Sequence, residues 1–132
     1  MGQGFRALAL TVLVVDDSDI TRRILRTLLG SRHWTICEAE GGCSGIKKFQ
    51  RLKPDVVVLD LVMPDMNGIE TAKQMTASDP EIPIVLFTIL EIPGLERPAK
   101  DAGIRAIVTK SEAWNLIGSI ESLVTKKHLH AH

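Results

Sequence analysis

Apolar residues along the chain fall into two alternating textures. Four short runs, residues 10–15, 56–59, 84–87 and 106–108, are nearly continuous, as in strands covered on both faces. A fifth and weaker run covers residues 34–39. Between them apolar residues recur at helical spacing: Ile20, Ile24, Leu25, Leu28 and Leu29; Ile46, Phe49 and Leu52; Ile69, Ala72 and Met75; and Ala113, Leu116, Ile117, Ile120, Leu123 and Val124. The last of these segments reads as the clearest amphipathic helix. Ser18 is placed to cap the first helix and Gly30 to close it. Pro54, Asp55 and Gly103 mark turns before strands, and Ser111 is placed to cap the final helix. The stretch 91–103 is an exception, because Pro93, Gly94 and Pro98 allow only a short or broken helix with Pro98 in its first turn.

The order is therefore (βα)5. Strictly alternating elements of this size predict an α/β fold, a doubly wound parallel sheet with helices on both faces joined by right-handed crossovers. The 132 residues suit one domain, and 45% apolar content is enough for a core without disulfides or a structural metal. Residues 10–126 are expected to form that domain, with 1–9 and 127–132 as flexible termini.

Charge narrows the function classes. Sixteen Lys and Arg balance sixteen Asp and Glu, so the chain lacks the basic excess that favours nucleic-acid backbones or anionic membranes. Cys37 and Cys43 have no histidine at ligand spacing, and they read as packing thiols of a cytoplasmic protein. The apolar stretch 7–15 meets Asp16 and Asp17 without a cleavage site, and it is far short of the ~20 residues a bilayer span requires. His128, His130 and His132 belong to the expected loose tail. Lys100, Asp101, Arg105, Glu112 and Glu121 either face solvent or pair across a dimer.

Polar residues gather at the strand ends. Asp16 and Asp17 end the first strand, Asp60 the third, Thr88 the fourth and Lys110 the fifth. In a doubly wound sheet those carboxyl ends converge on one rim, where ligands bind. Three carboxylates there raise one another's pKa unless a cation lies among them, and hard oxygen ligands point to Mg2+. With Asp16 and Asp17 on the metal, Asp60 is the candidate nucleophile toward phosphorus, giving an aspartyl phosphate. Lys110 and Thr88 would contact the phosphoryl oxygens. Pro64 stiffens the loop after Asp60, and residues 65–68 turn into the next helix, so this loop can offer a backbone carbonyl to the metal.

The segments Val14-Val15-Asp16-Asp17-Ser18 and Val58-Leu59-Asp60-Leu61-Val62-Met63-Pro64-Asp65-Met66-Asn67-Gly68, with Thr88 and Thr109-Lys110, resemble the receiver domain of two-component response regulators, in particular chemotaxis-type single-domain receivers. The likeness runs over residues 10–126. It implies a flavodoxin-like sheet of order 2-1-3-4-5 and a phosphorylation-activated switch in which Asp60 takes a phosphoryl group from a sensor histidine kinase or histidine phosphotransfer protein. It also implies Mg2+ held by Asp16, Asp17, the Asp60 side chain and the Val62 carbonyl. A downstream effector would read the state of Thr88 through the fourth helix, fifth strand and fifth helix. With no output domain after residue 126, the chain reads as a stand-alone or excised receiver.

Three positions depart from the usual pattern. Ile107 stands where receivers carry a Tyr or Phe, Ile89 replaces a small residue beside Thr88 and narrows access, and Ser111 replaces a proline. Two other classes fit the sequence less well. An Asp-dependent phosphohydrolase places a general acid two residues after the nucleophile, where this chain has Val62, and a flavin or nucleotide binder needs a Gly-rich loop after the first strand, which is missing.

Overall fold

The computed structural model describes residues 9–130, with side chains described as far as Lys126. Ten main elements alternate: β1 (Thr11–Val15), α1 (Asp19–Gly30), β2 (Thr35–Ala39), α2 (Gly42–Leu52), β3 (Val56–Leu59), α3 (Gly68–Ser78), β4 (Ile84–Thr88), α4 (Glu96–Asp101), β5 (Ala106–Thr109) and α5 (Asn115–His130). The strands form one parallel sheet in the order β2-β1-β3-β4-β5. This is the expected flavodoxin-like arrangement.

Side chains alternate across each strand, so one sheet feeds two cores. Leu13, Val15, Val57, Leu59, Ile84 and Leu86 pack with α2, α3 and α4 residues such as Phe49, Met75 and Ala99. Val12, Val14, Val56, Val58, Val85 and Phe87 pack on the opposite face with Leu25, Leu29, Leu116, Ile120 and Val124 of α1 and α5. Burial on both faces is why the central strands read as unbroken apolar runs, and every residue of β3 and β4 is buried. The edge strands β2 and β5 are only partly covered.

Several local expectations need correction. Ser18 does cap α1, accepting from the Thr21 amide at 3.2 Å, but Gly30 is the last helical residue and Ser31 closes the helix. Ser111 does not cap α5: it lies in a single 3₁₀ turn, Lys110–Glu112, with its hydroxyl 3.2 Å from Thr109 Oγ1, and α5 starts at Asn115. The most sharply two-faced helix is α1 rather than α5. Its buried stripe is Arg22, Leu25 and Leu29, while Ile20 and Ile24 are exposed. Cys37 packs against the core as expected, but Cys43 is exposed and both thiols are free. As foreseen, α4 is short, with Pro98 in its first turn, and Gly103 (φ +93°) follows it. Helix α5 runs on to His130, past residue 126; the remaining expectations for the termini, at residues 1–8 and 131–132, lie outside the described residues. No helix among the described residues is long and apolar enough to cross a membrane.

Candidate functional site

Strand register builds the site. Val15 pairs with both Ala39 and Leu59, so Asp16 and Asp60 leave the sheet side by side, and each is tied by its amide: Asp60 N donates to Val15 O at 2.9 Å and Asp16 N to Ala39 O at 3.1 Å. On the far side Thr88 pairs with Thr109, which puts Lys110 one residue beyond the end of β5. Four strand ends thus deliver the five residues singled out in the sequence to one rim.

The three carboxylates meet there. One oxygen from each of Asp16, Asp17 and Asp60 lies within 4.8 Å of the others, with Asp16 and Asp60 buried and Asp17 exposed. The Ser18 amide donates to Asp16 Oδ1 at 2.8 Å and fixes that side chain. Lys110 Nζ sits 2.9 Å from Asp16 Oδ2 and 3.7 Å from Asp60 Oδ1, and it donates to Thr21 Oγ1 at 3.4 Å. Its side chain is only 16% exposed, so the lysine is more enclosed than a solvent-facing rim residue.

One lysine cannot neutralise three acids. Burial, followed by the Asp16 charge, pushes the Asp60 carboxyl up from 3.8 to about 6, against the opposing pull of Lys110. Three carboxylates facing one lysine, with one exposed member at the mouth, have the chemistry of a divalent cation site, and Asp16, Asp17 and Asp60 fit Mg2+.

Thr88 is fully buried at the end of β4, where its Oγ1 accepts from the Leu90 amide at 3.2 Å. That leaves its hydroxyl proton for another acceptor. Ile107 packs against the core from β5, while Ile89 is 72% exposed, a solvent-facing flank rather than a packed wall.

The loop between β3 and α3 is anchored at both ends. Leu61 and Met63 are buried around a half-exposed Val62, the Gly68 amide donates to Leu61 O at 2.7 Å, and Asn67 Oδ1 caps α3 by accepting from the Glu70 amide at 2.9 Å. A Cβ at Gly68 would collide with the Asp60 carbonyl oxygen, so glycine is required at this approach.

Sequence reasoning missed Arg22. Its guanidinium is buried: Nη1 donates to the Asp16 carbonyl oxygen at 2.8 Å, Nη2 to Asp19 Oδ1 at 2.9 Å, and Nε lies 3.4 Å from Glu38 Oε1. The available signal was its spacing from Leu25 and Leu29, which puts it on the buried stripe. Thr21, the acceptor for Lys110, was missed as well, since nothing local distinguishes it from an ordinary helix residue.

Comparison with known proteins places the chain in a family and supports the fold. The family profile of the response regulator receiver domain matches residues 12–120. The chemotaxis protein CheY of Listeria monocytogenes is 30% identical over 102 residues, 76% of this chain and 86% of that one. A CheY-like response regulator receiver domain protein from Methanospirillum hungatei superimposes with a TM-score of 0.88 at 18% identity, covering 93% of this chain and 99% of that one. The response regulator TrrA of Thermotoga maritima, solved in complex with Mg2+-BeF, superimposes with a TM-score of 0.81 at 28% identity, covering 86% and 98%.

Proposed function

Because the chain belongs to the response regulator receiver domain family, which serves two-component signalling, we propose that Asp60 is the residue that accepts the phosphoryl group. The observation that carries this reading is the meeting of Asp16, Asp17 and Asp60 under Lys110, with Thr88 buried one strand away. An ionised Asp60 oxygen attacks phosphorus, and the bond from phosphorus to the donor breaks. That bond leads to an imidazole nitrogen in a phosphohistidine of a sensor kinase or phosphotransfer protein, or to an acyl oxygen in acetyl phosphate, and the donor keeps the electron pair. Lys110 favours the ionised form of Asp60 and offers its ammonium to the incoming oxygens, and Thr88 donates its free hydroxyl proton to one of them. Asp16, Asp17, Asp60 and the Val62 carbonyl are the groups that would hold Mg2+, which when bound offsets the charge on the transferred phosphoryl oxygens.

The chain's only chemistry in this reading is its own phosphorylation and dephosphorylation, in the cytoplasm, and the result is a signal for a downstream effector. Incubation with acetyl phosphate and Mg2+ should add one phosphoryl group to the intact mass of the protein and none to the Asp60→Asn variant. No addition to the parent, or the same addition to Asp60→Asn, would overturn the assignment.

A further inference from the structure

Helix α2 begins without a cap of its own. Its N-cap residue is Gly41, which has no side chain to accept from the first helical amides. The acceptor comes instead from the loop that follows the phosphoacceptor strand, since Asp65 Oδ1 takes the Gly42 amide at 3.1 Å and Oδ2 the Cys43 amide at 2.9 Å. A sidechain-to-backbone bridge across 23 residues is thus built from a loop and a helix end.

The two glycines make the approach possible. A Cβ on Gly41 would stand 2.8 Å from Asp65 Oδ1, and a Cβ on Gly42 would stand 2.6 Å from Thr71 Oγ1 and 2.9 Å from Met66 Cγ. Gly41 therefore leaves room for the carboxylate at 65, and Gly42 leaves room for the Thr71 and Met66 side chains beside it. Two amide donors at a helix N-terminus also hold the Asp65 carboxyl down to about 2, so it stays charged throughout the physiological range. The nearby Asp65 carboxylate pushes the Cys43 thiol up.

Residues 61–67 have Asp60 before them and contain Val62. Leu61 and Met63 root the first half of the loop in the core, and Asn67 ties its end to α3. Asp65 is the tie between those two anchors. It also keeps a fourth carboxylate of the same rim engaged with α2 and out of the metal cluster, which contains Asp16, Asp17 and Asp60 alone among the described residues.

We propose that Asp65 is a positioning residue for phosphorylation: by latching the β3–α3 loop onto the N-terminus of α2, it holds the loop carbonyls in the arrangement that binds Mg2+ beside Asp60. The inference rests on the metal-dependent phosphoacceptor reading given above.

The test compares Mg2+ titrations, followed by amide chemical shifts, in the parent chain, Asp65→Ala, Asp65→Asn and Asp55→Ala. Asp55 accepts from the Thr11 amide at 2.8 Å at the opposite pole of the sheet, so its variant loses a like bond far from the site. Loss of Asp65 should weaken Mg2+ binding by about tenfold, the range seen when groups supporting metal ligands are removed. Asp65→Asn keeps an oxygen able to cap and should recover most of the affinity, and Asp55→Ala should bind as the parent does. A second readout is the pH profile of Cys43 alkylation, which should move to lower pH in Asp65→Ala and stay put in Asp55→Ala.

If the parent binds Mg2+ and takes up phosphate while Asp65→Ala binds equally well, the latch has no role in positioning and the proposal fails. Equal weakening in Asp55→Ala would also overturn it, by reducing the effect to general loss of stability. A parent that binds no Mg2+ at all would instead overturn the phosphoacceptor reading, and this inference with it.

Discussion

Asp60 carries a pKa near 6 in a protein whose unfolded chain would titrate it at 3.8, a difference of roughly 3 kcal/mol at ~1.4 kcal/mol per unit. The sign follows from the raised value. Protonated Asp60 is better accommodated in the fold than ionised Asp60, so this group's contribution to stability is full below about 4 and is lost as pH rises through about 6. Metal-free protein should therefore gain stability toward denaturant between pH 7.5 and 5 from this residue, and Mg2+, which favours the ionised form, should bind more weakly at pH 5 than at pH 7.5. Denaturant titrations at the two pH values, with and without Mg2+, check both statements. A neighbouring prediction concerns Lys110, whose ammonium lies 2.9 Å from the Asp16 carboxylate. Lys110→Ala leaves two buried carboxylates without it and should cost about 1–3 kcal/mol in metal-free protein at neutral pH, with Mg2+ restoring part of the loss while phosphorylation fails to switch the protein. Chemical denaturation of the variant with and without Mg2+ measures the restoration.

The ends of secondary elements were legible in unequal measure. The strands were read to within about one residue because burial on both faces leaves an apolar run with a sharp polar end, and those polar ends were the site residues. Helix faces were harder. The period of α1 was visible, and Leu25, Leu28 and Leu29 do pack inward, but the stripe continues through Arg22 while Ile20 and Ile24 face outward. A buried arginine is stable there only because the Asp16 carbonyl and acidic side chains of α1 and β2 meet its guanidinium, and such tertiary partners leave no mark on local periodicity. Arg22→Met should accordingly cost about 1–3 kcal/mol and loosen Asp16, lowering the melting temperature and Mg2+ affinity together. Ser111 was misread for a related reason, because its hydroxyl meets Thr109 across a 3₁₀ turn and not the amides of α5.

Loops set a further property. Val62 and Leu90, two residues after Asp60 and Thr88, are 56% and 41% exposed, and neither can hold or deprotonate a water. The aspartyl phosphate should be long-lived in the parent, and a Val62→Asn, Leu90→Glu double variant should lose it about tenfold faster or more. Following phosphate loss at saturating Mg2+ compares the two, and equal decay would show that these side chains do not set the lifetime.

At the scale of the whole molecule, strict alternation of strand and helix was enough to predict the parallel sheet, and the order 2-1-3-4-5 came with the family likeness of motifs at its strand ends. Long-range ties were not legible. Glu121, considered for a dimer contact, pairs with Arg32 in the same chain, and Asp65 ties the β3–α3 loop to the start of α2. The doubly wound sheet gathers five side chains, separated by up to 94 residues of sequence from Asp16 to Lys110, onto one rim. The central claim is that this rim exists to put a phosphoryl group on Asp60. Borohydride reduction of the protein after exposure to acetyl phosphate and Mg2+ converts an aspartyl phosphate to homoserine, and peptide mass spectrometry then identifies the position. Homoserine at residue 60 alone is the predicted result; its appearance at Asp16 or Asp17, or at no aspartate, would contradict the account.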